Sequence, residues 1–245
     1  DQVIPLFPYG ISYYRSVSAD GTSYAPTDRQ AMVTWELFDV HFRPDLDTSL
    51  FDYRTNQWQV IDPMKNGRWY PTSVAMPDGR VLTALGSSGG RYPEIWEQDF
   101  GWKMLTGIDL QNPVLRYTGY YEYNWFPYLS VTPQGDLLHY GPTPQMHRLD
   151  PNGADGAGSL TALGALGIDW YPKDGASVLY DEGKLLLAGG AIAGNNGDST
   201  NQAVVIDMTD GGAQVRATNP MHFSRKFHNA VVLPDGNVLM VGGNG

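Results

Sequence analysis

The apolar positions of this chain fall in short runs joined by turn signals. The clearest case is segment 68–86. Thr72-Ser73-Val74-Ala75-Met76 is followed by Pro77-Asp78-Gly79 and then by Arg80-Val81-Leu82-Thr83-Ala84-Leu85-Gly86. Pro pre-sets φ at the first turn position and Gly accepts the positive φ that follows, so the segment predicts a β-hairpin. The pattern recurs. Pro133-Gln134-Gly135 precedes Asp136-Leu137-Leu138-His139-Tyr140-Gly141, Asp181-Glu182-Gly183 precedes Lys184-Leu185-Leu186-Leu187-Ala188-Gly189-Gly190, and Pro234-Asp235-Gly236 precedes Asn237-Val238-Leu239-Met240-Val241-Gly242-Gly243. The turn glycines stand at 79, 135, 183 and 236, spaced by 56, 48 and 53 residues. An aromatic opens each hairpin: Tyr70, Phe126, Tyr171 and Phe227 read as one recurring slot, with Trp69, Trp125 and Trp170 beside the first three.

Between hairpins the chain supplies further strands. Glu94-Ile95-Trp96-Glu97 and Gly101-Trp102-Lys103-Met104-Leu105 follow the first, segment 145–151 reads as an outer strand after the second, and Ala203-Val204-Val205-Ile206-Asp207 follows the third. Four strands in about 45 residues is the content of one propeller blade. Segments 31–40 and 47–58 carry earlier strand signals, and residues 1–30, rich in Tyr, Ser, Pro and Gly, are expected to be irregular. Segment 154–167 is Ala/Gly/Leu-rich, but each glycine costs a helix about 1 kcal/mol, so a loop is expected. The expected fold is therefore all-β, a β-propeller of about four to five blades over 31–245 with an incomplete ring.

Composition narrows the partners. Charged residues are only 17% of a chain that is 42% hydrophobic, which is globular rather than disordered. The net charge of −10, without a basic cluster to offset it, argues against nucleic acid. No run reaches the ~18 apolar residues of a membrane span. Without cysteine there is no disulfide, thiolate metal site or cysteine nucleophile. No leader pattern precedes Asp1, so the chain reads as mature, cut or natively leaderless.

Hairpins ending in glycine pairs resemble kelch-type repeats. Three stretches sharpen the resemblance to the galactose oxidase / glyoxal oxidase family: Thr48-Ser49-Leu50-Phe51-Asp52 leading to Arg68-Trp69-Tyr70-Pro71-Thr72, then Gly175-Ala176-Ser177-Val178-Leu179-Tyr180-Asp181, then 221–236 with Arg225-Lys226-Phe227-His228. The resemblance implies a seven-bladed propeller, extracellular or at the cell surface. It also implies a copper-radical oxidase that turns alcohols or aldehydes over with O2, releasing H2O2. Carried over by position, Tyr70 falls at the radical tyrosine, a phenolate ligand to copper. His228, after Phe227, falls in a Tyr-His-like slot and is the second metal candidate, although its hairpin matches one blade earlier than the family's ligand pair. The family's thioether cysteine belongs in the blade before Tyr70, and this chain has none.

The remaining candidates read as structural. His41, His139, His147 and His222 lack metal-ligand spacing and are expected at the surface or in hydrogen-bonded structure. Asp198 with Asn195 and Asn196 has the oxygen donors of a Ca²⁺ loop, but its default is a polar surface loop. Four hairpins and one partial unit do not close a seven-bladed ring. Missing blades or a second chain are expected to complete it, with a whole hairpin missing near 42–47. Two functions follow. One is part of an extracellular copper-radical oxidase acting on a carbohydrate or a small alcohol or aldehyde. The other is a non-catalytic kelch-type propeller serving as a binding or structural module.

Overall fold

The computed structural model describes residues 2–5, 14–17, 45–86, 91–110, 126–191 and 197–245. The chain divides into two units, Asp1–Arg43 and Pro44–Gly245. In the first, strand β1 (Gln2–Pro5) pairs antiparallel with β2 (Tyr14–Val17), inside the stretch expected to be irregular. The strand expected at 31–40 lies outside the described residues.

The second unit is built of β-strands, with one short helical turn at Gly153–Gly156. A two-stranded sheet, β3 (Thr48–Asp52) with β4 (Gln57–Ile61), comes first. Three four-stranded antiparallel sheets follow. The first is β5 (Thr72–Ala75), β6 (Val81–Ala84), β7 (Glu94–Glu97) and β8 (Gly101–Met104). The second is β9 (Tyr128–Val131), β10 (Leu137–Gly141), β11 (Gln145–Asp150) and β12 (Ser159–Ala165). The third is β13 (Ala176–Asp181), β14 (Lys184–Ala188), β15 (Ala203–Asp207) and β16 (Gln214–Ala217). A last pair, β17 (Lys226–Val232) and β18 (Val238–Asn244), ends the chain. Each sheet runs in chain order from its first strand outward, a β-propeller-like arrangement.

All four turn glycines adopt the positive φ that the hairpin reading required, between 66° and 89°. Three of the turns share one hydrogen-bond pattern: Gly79 N–H donates to Met76, Gly135 to Thr132 and Gly236 to Leu233. Gly190, two residues past β14, also has positive φ and has a second reason to be glycine. A Cβ on Gly190 would lie 2.5 Å from the Tyr171 carbonyl oxygen, so the backbone itself fills that space.

Two expectations are overturned in the second sheet. Segment 154–167 is not a loop throughout, because Ser159–Ala165 forms β12, which takes the outer edge. Segment 145–151 therefore supplies the third strand, not the outer one. The reason is packing: Leu160 and Leu163 are partly buried against different core clusters, while the small residues between them hid the alternation.

The core lies between the sheets. Leu82, Ile95, Leu105, Leu137 and Leu149 form one buried cluster; Leu138, Tyr140, Met146, Leu187, Val204 and Ile206 form the next. Neighbours Leu137 and Leu138 point to opposite faces, as period 2 requires. Because both faces of the second sheet are covered, Leu137–Gly141 is buried at every position. Burying side chains of this kind stabilises by about 1.5–3 kcal/mol each.

Polar bonds tie the sheets together. The Tyr128 hydroxyl lies 2.8 and 2.9 Å from the Pro172 and Gly175 carbonyl oxygens. The Tyr140 hydroxyl lies 2.7 Å from Ser177 Oγ. Burial pushes both phenols above the ordinary range, Tyr140 to about 12. Arg68, just before β5, is fully enclosed with Glu94 of β7 at 2.9 Å.

Candidate functional site

Counting back nine residues from each turn glycine gives Tyr70, Phe126, Asp174 and Phe227. All four are non-glycine residues with positive φ, at 61°, 50°, 62° and 58°. Such a conformation costs on the order of 1–3 kcal/mol and persists only where surrounding structure holds it. Here backbone bonds hold it in pairs: Phe126 N–H donates to the Tyr70 carbonyl at 2.9 Å, and Phe227 N–H to the Asp174 carbonyl at 2.6 Å. The recurring slot is thus a backbone conformation at the start of four of the sheets, just before β5, β9 and β13 and at the second residue of β17.

This corrects the aromatic reading in the third repeat. Asp174, not Tyr171, occupies the slot, while Tyr171 bridges to Ala191. Segment 169–172 shares the Trp-aromatic-Pro order of 69–71 and 125–127, but the third repeat carries three more residues before its strand. Trp170 differs from Trp69 for the same reason, being buried in a core cluster while Trp69 is partly exposed. Trp125 lies outside the described residues. The signal that finds Asp174 is the distance to the turn glycine rather than residue type.

Tyr70 sits in an aromatic stack. Its ring centroid is 4.4 Å from that of Trp69 and 4.8 Å from that of Phe126, both stacked. The tyrosine is 37% exposed, so its ring face is shared with neighbours while part of it meets solvent. Offset stacking of this kind is worth about 0.5–1.5 kcal/mol beyond area burial. It fixes the ring plane and the direction of the phenol.

His228 lies elsewhere, in β17. It is 5% exposed, and neither ring nitrogen has a hydrogen-bond partner. Its ring packs against the Gly189 backbone, where a Cβ would come within 2.5 Å of Cε1. Burial first, and the nearby Arg225 charge second, hold its pKa below the usual imidazole value. A neutral imidazole is a competent metal ligand. Among the described residues no three His, Cys, Asp or Glu side chains come together; Tyr70 precedes β5, and His228 lies in β17.

Two of the other histidines lie away from the surface. His139 and His147 are buried, at 1% and 3% exposure, rather than at the surface, and each has an unpartnered Nδ1. Burial, and then His147, pushes His139 down to about 3. His222 is exposed, and His41 lies outside the described residues. Asn195 and Asn196 of the proposed Ca²⁺ loop also fall outside them. Gly197, at its end, accepts a hydrogen bond from Lys226 Nζ at 3.0 Å.

No family model matches the chain. Two galactose oxidase sequences from Gibberella zeae are each 31% identical to it over 212 residues, which is 80% of this chain and 31% of the relative. The chain thus spans about a third of the length of the curated relatives it matches. A solved structure described as a fungal alcohol oxidase of the AA5 family, in complex with copper, superposes with a TM-score of 0.73 at 29% identity. That match covers 81% of this chain and 43% of the other. By sequence and by structure, this chain is galactose oxidase-like over about four fifths of its length.

Proposed function

We propose that this chain is part of an extracellular copper-radical oxidase. It would oxidise a primary alcohol to an aldehyde, or a hydrated aldehyde to an acid, passing two electrons and two protons to O2 to give H2O2. The carrying observation is Tyr70: a phenol at the sequence position of the family's radical tyrosine, with its ring held between Trp69 and Phe126. Copper bound there supplies one-electron chemistry, with the ring as the partner for the second electron. One phenol does not hold copper, and the nearest match to a second ligand, His228, stands in another sheet. The remaining ligands would come from outside the described residues, so no step is assigned to this chain beyond orienting the phenol.

The architecture in this reading is a kelch-type propeller, with 31–245 contributing about four to five blades. The two incomplete sheets support it. β3–β4 leaves Trp58 and Val60 exposed at 70% and 86%, and β17–β18 leaves Phe227, Leu239 and Val241 exposed. Missing blades or a second chain would cover these surfaces, and a carbohydrate or small alcohol or aldehyde would be the substrate. Among the described residues no helix is long and apolar enough to cross a membrane.

A second reading, a non-catalytic propeller used for binding or assembly, is favoured by one observation. The backbone conformation of Tyr70 recurs at Phe126, Asp174 and Phe227, so the slot exists without a phenol. Copper content and peroxide release on galactose, glycerol and methylglyoxal separate the two. Copper-dependent peroxide production that Tyr70→Phe abolishes supports the oxidase; no copper retained and no peroxide after oxidative activation leaves the binding module.

A further inference from the structure

We propose that His139 and His147 form a buried two-coordinate site for a soft monovalent metal ion, Cu(I) or its redox-inert counterpart Ag(I). The two residues are direct cross-strand partners on β10 and β11. Their ring centroids are 5.6 Å apart. Both share a sheet face with Leu137 and Leu149, two residues away on each strand, and so lie beside the first core cluster. Each Nδ1 is buried without a hydrogen-bond partner.

In a neutral imidazole one ring nitrogen is an unprotonated acceptor, and no protein group satisfies the buried Nδ1 of either residue. Leaving such an acceptor unsatisfied costs about 1–3 kcal/mol, which a ligand would recover.

Two features select the ion. Among the described residues no third His, Cys, Asp or Glu joins the pair, whereas Zn²⁺ wants four ligands and Ca²⁺ or Mg²⁺ six or more. Both donors are neutral, so the whole ionic charge is buried. The desolvation cost grows with the square of that charge, which penalises a divalent ion about fourfold over a monovalent one. Imidazole nitrogen is a suitable donor for copper, and d¹⁰ Cu(I) and Ag(I) accept two ligands. The site is separate from Tyr70, which precedes the first strand of a different sheet.

The test uses the full chain refolded with Ag(I), or with Cu(I) under ascorbate, then desalted. The proposal expects one ion retained per chain and an X-ray absorption spectrum with two nitrogen neighbours at about 2 Å. His139→Asn and His147→Asn should each weaken retention by about tenfold or more, while Tyr70→Phe keeps it. No retained ion, retention unchanged in both asparagine variants, or a sulfur neighbour in the spectrum overturns it. Should the variants fail to fold, the wild-type spectrum alone decides.

Discussion

The buried ion pair beside β5 offers the sharpest test of how this fold is held. Arg68 and Glu94 side chains are both 0% exposed, with Nη2 2.9 Å from Oε1. The pair is also a junction for stranded backbone groups. Arg68 donates to the carbonyls of Leu85 at 3.0 Å and Tyr92 at 2.7 Å, and Glu94 accepts from the N–H groups of Lys65 at 2.6 Å and Asn66 at 3.0 Å. Burial lowers the Arg68 pKa, and the bond and charge of Glu94 oppose that shift. Breaking such a pair from one side costs about 3–5 kcal/mol, because the remaining charge is buried alone. Glu94→Gln and Arg68→Met should each fall in that range.

The double variant is more informative. Replacing a buried pair by apolar residues of similar size is often neutral or stabilising. Here that exchange would strand two carbonyls and two N–H groups, at about 1–3 kcal/mol each. Arg68→Met with Glu94→Leu should therefore remain at least about 4 kcal/mol less stable than the parent. With a urea slope of about 2 kcal/mol/M, that shifts the unfolding midpoint down by about 2 M. Equilibrium urea unfolding followed by tryptophan fluorescence measures it. A double variant as stable as the parent would show that the pair does not organise these backbone groups, and the reasoning would fail.

Other expectations follow from the same structure. Leu187→Ala, in the second core cluster and fully buried, should cost about 2–5 kcal/mol in the same assay. Gly190→Ala should be several times more damaging than Gly236→Ala: the first drives a Cβ onto the Tyr171 carbonyl, while the second meets open space and pays mainly about 1 kcal/mol for its positive φ. Thermal melts of the two variants compare them directly. Tyr140→Phe should lose about 1 kcal/mol, the net value of its bond to Ser177. Tyr140 also predicts alkaline sensitivity. Its folded pKa, about 12, lies above the ordinary value of 10.0, so its contribution is complete below pH 10 and is lost as pH rises toward 12. The loss reaches about 2 kcal/mol by then, and after the exposed tyrosines have ionised the last phenolate absorbance to appear should coincide with unfolding.

Much of the fold was legible because hairpin turns are local. A Pro-Asp-Gly sequence sets its own φ angles, so Gly79 and Gly236 could be located without knowing what packs on them. The outer strands were harder. Ser159–Ala165 is a strand only because β11 offers it an edge and two clusters take Leu160 and Leu163, and neither is visible in an Ala/Gly-rich stretch. At the candidate site, Tyr70 was legible from its motif. Asp174 was missed because residue type suggested Tyr171, while the geometry follows the count back from the turn. The buried histidine pair was missed because His139 and His147 are eight residues apart, a spacing that acquires meaning only when β10 and β11 pair.

The sequence by itself determined the repeated hairpin, the all-β class and the family likeness, since these rest on local turn chemistry and residue order. Only the tertiary structure decided which residues face one another: the Tyr70 stack, the enclosed Arg68–Glu94 junction and the paired imidazoles. Each of these depends on strand register and on the packing of one sheet against the next. Those are long-range choices, made by burial summed over many side chains.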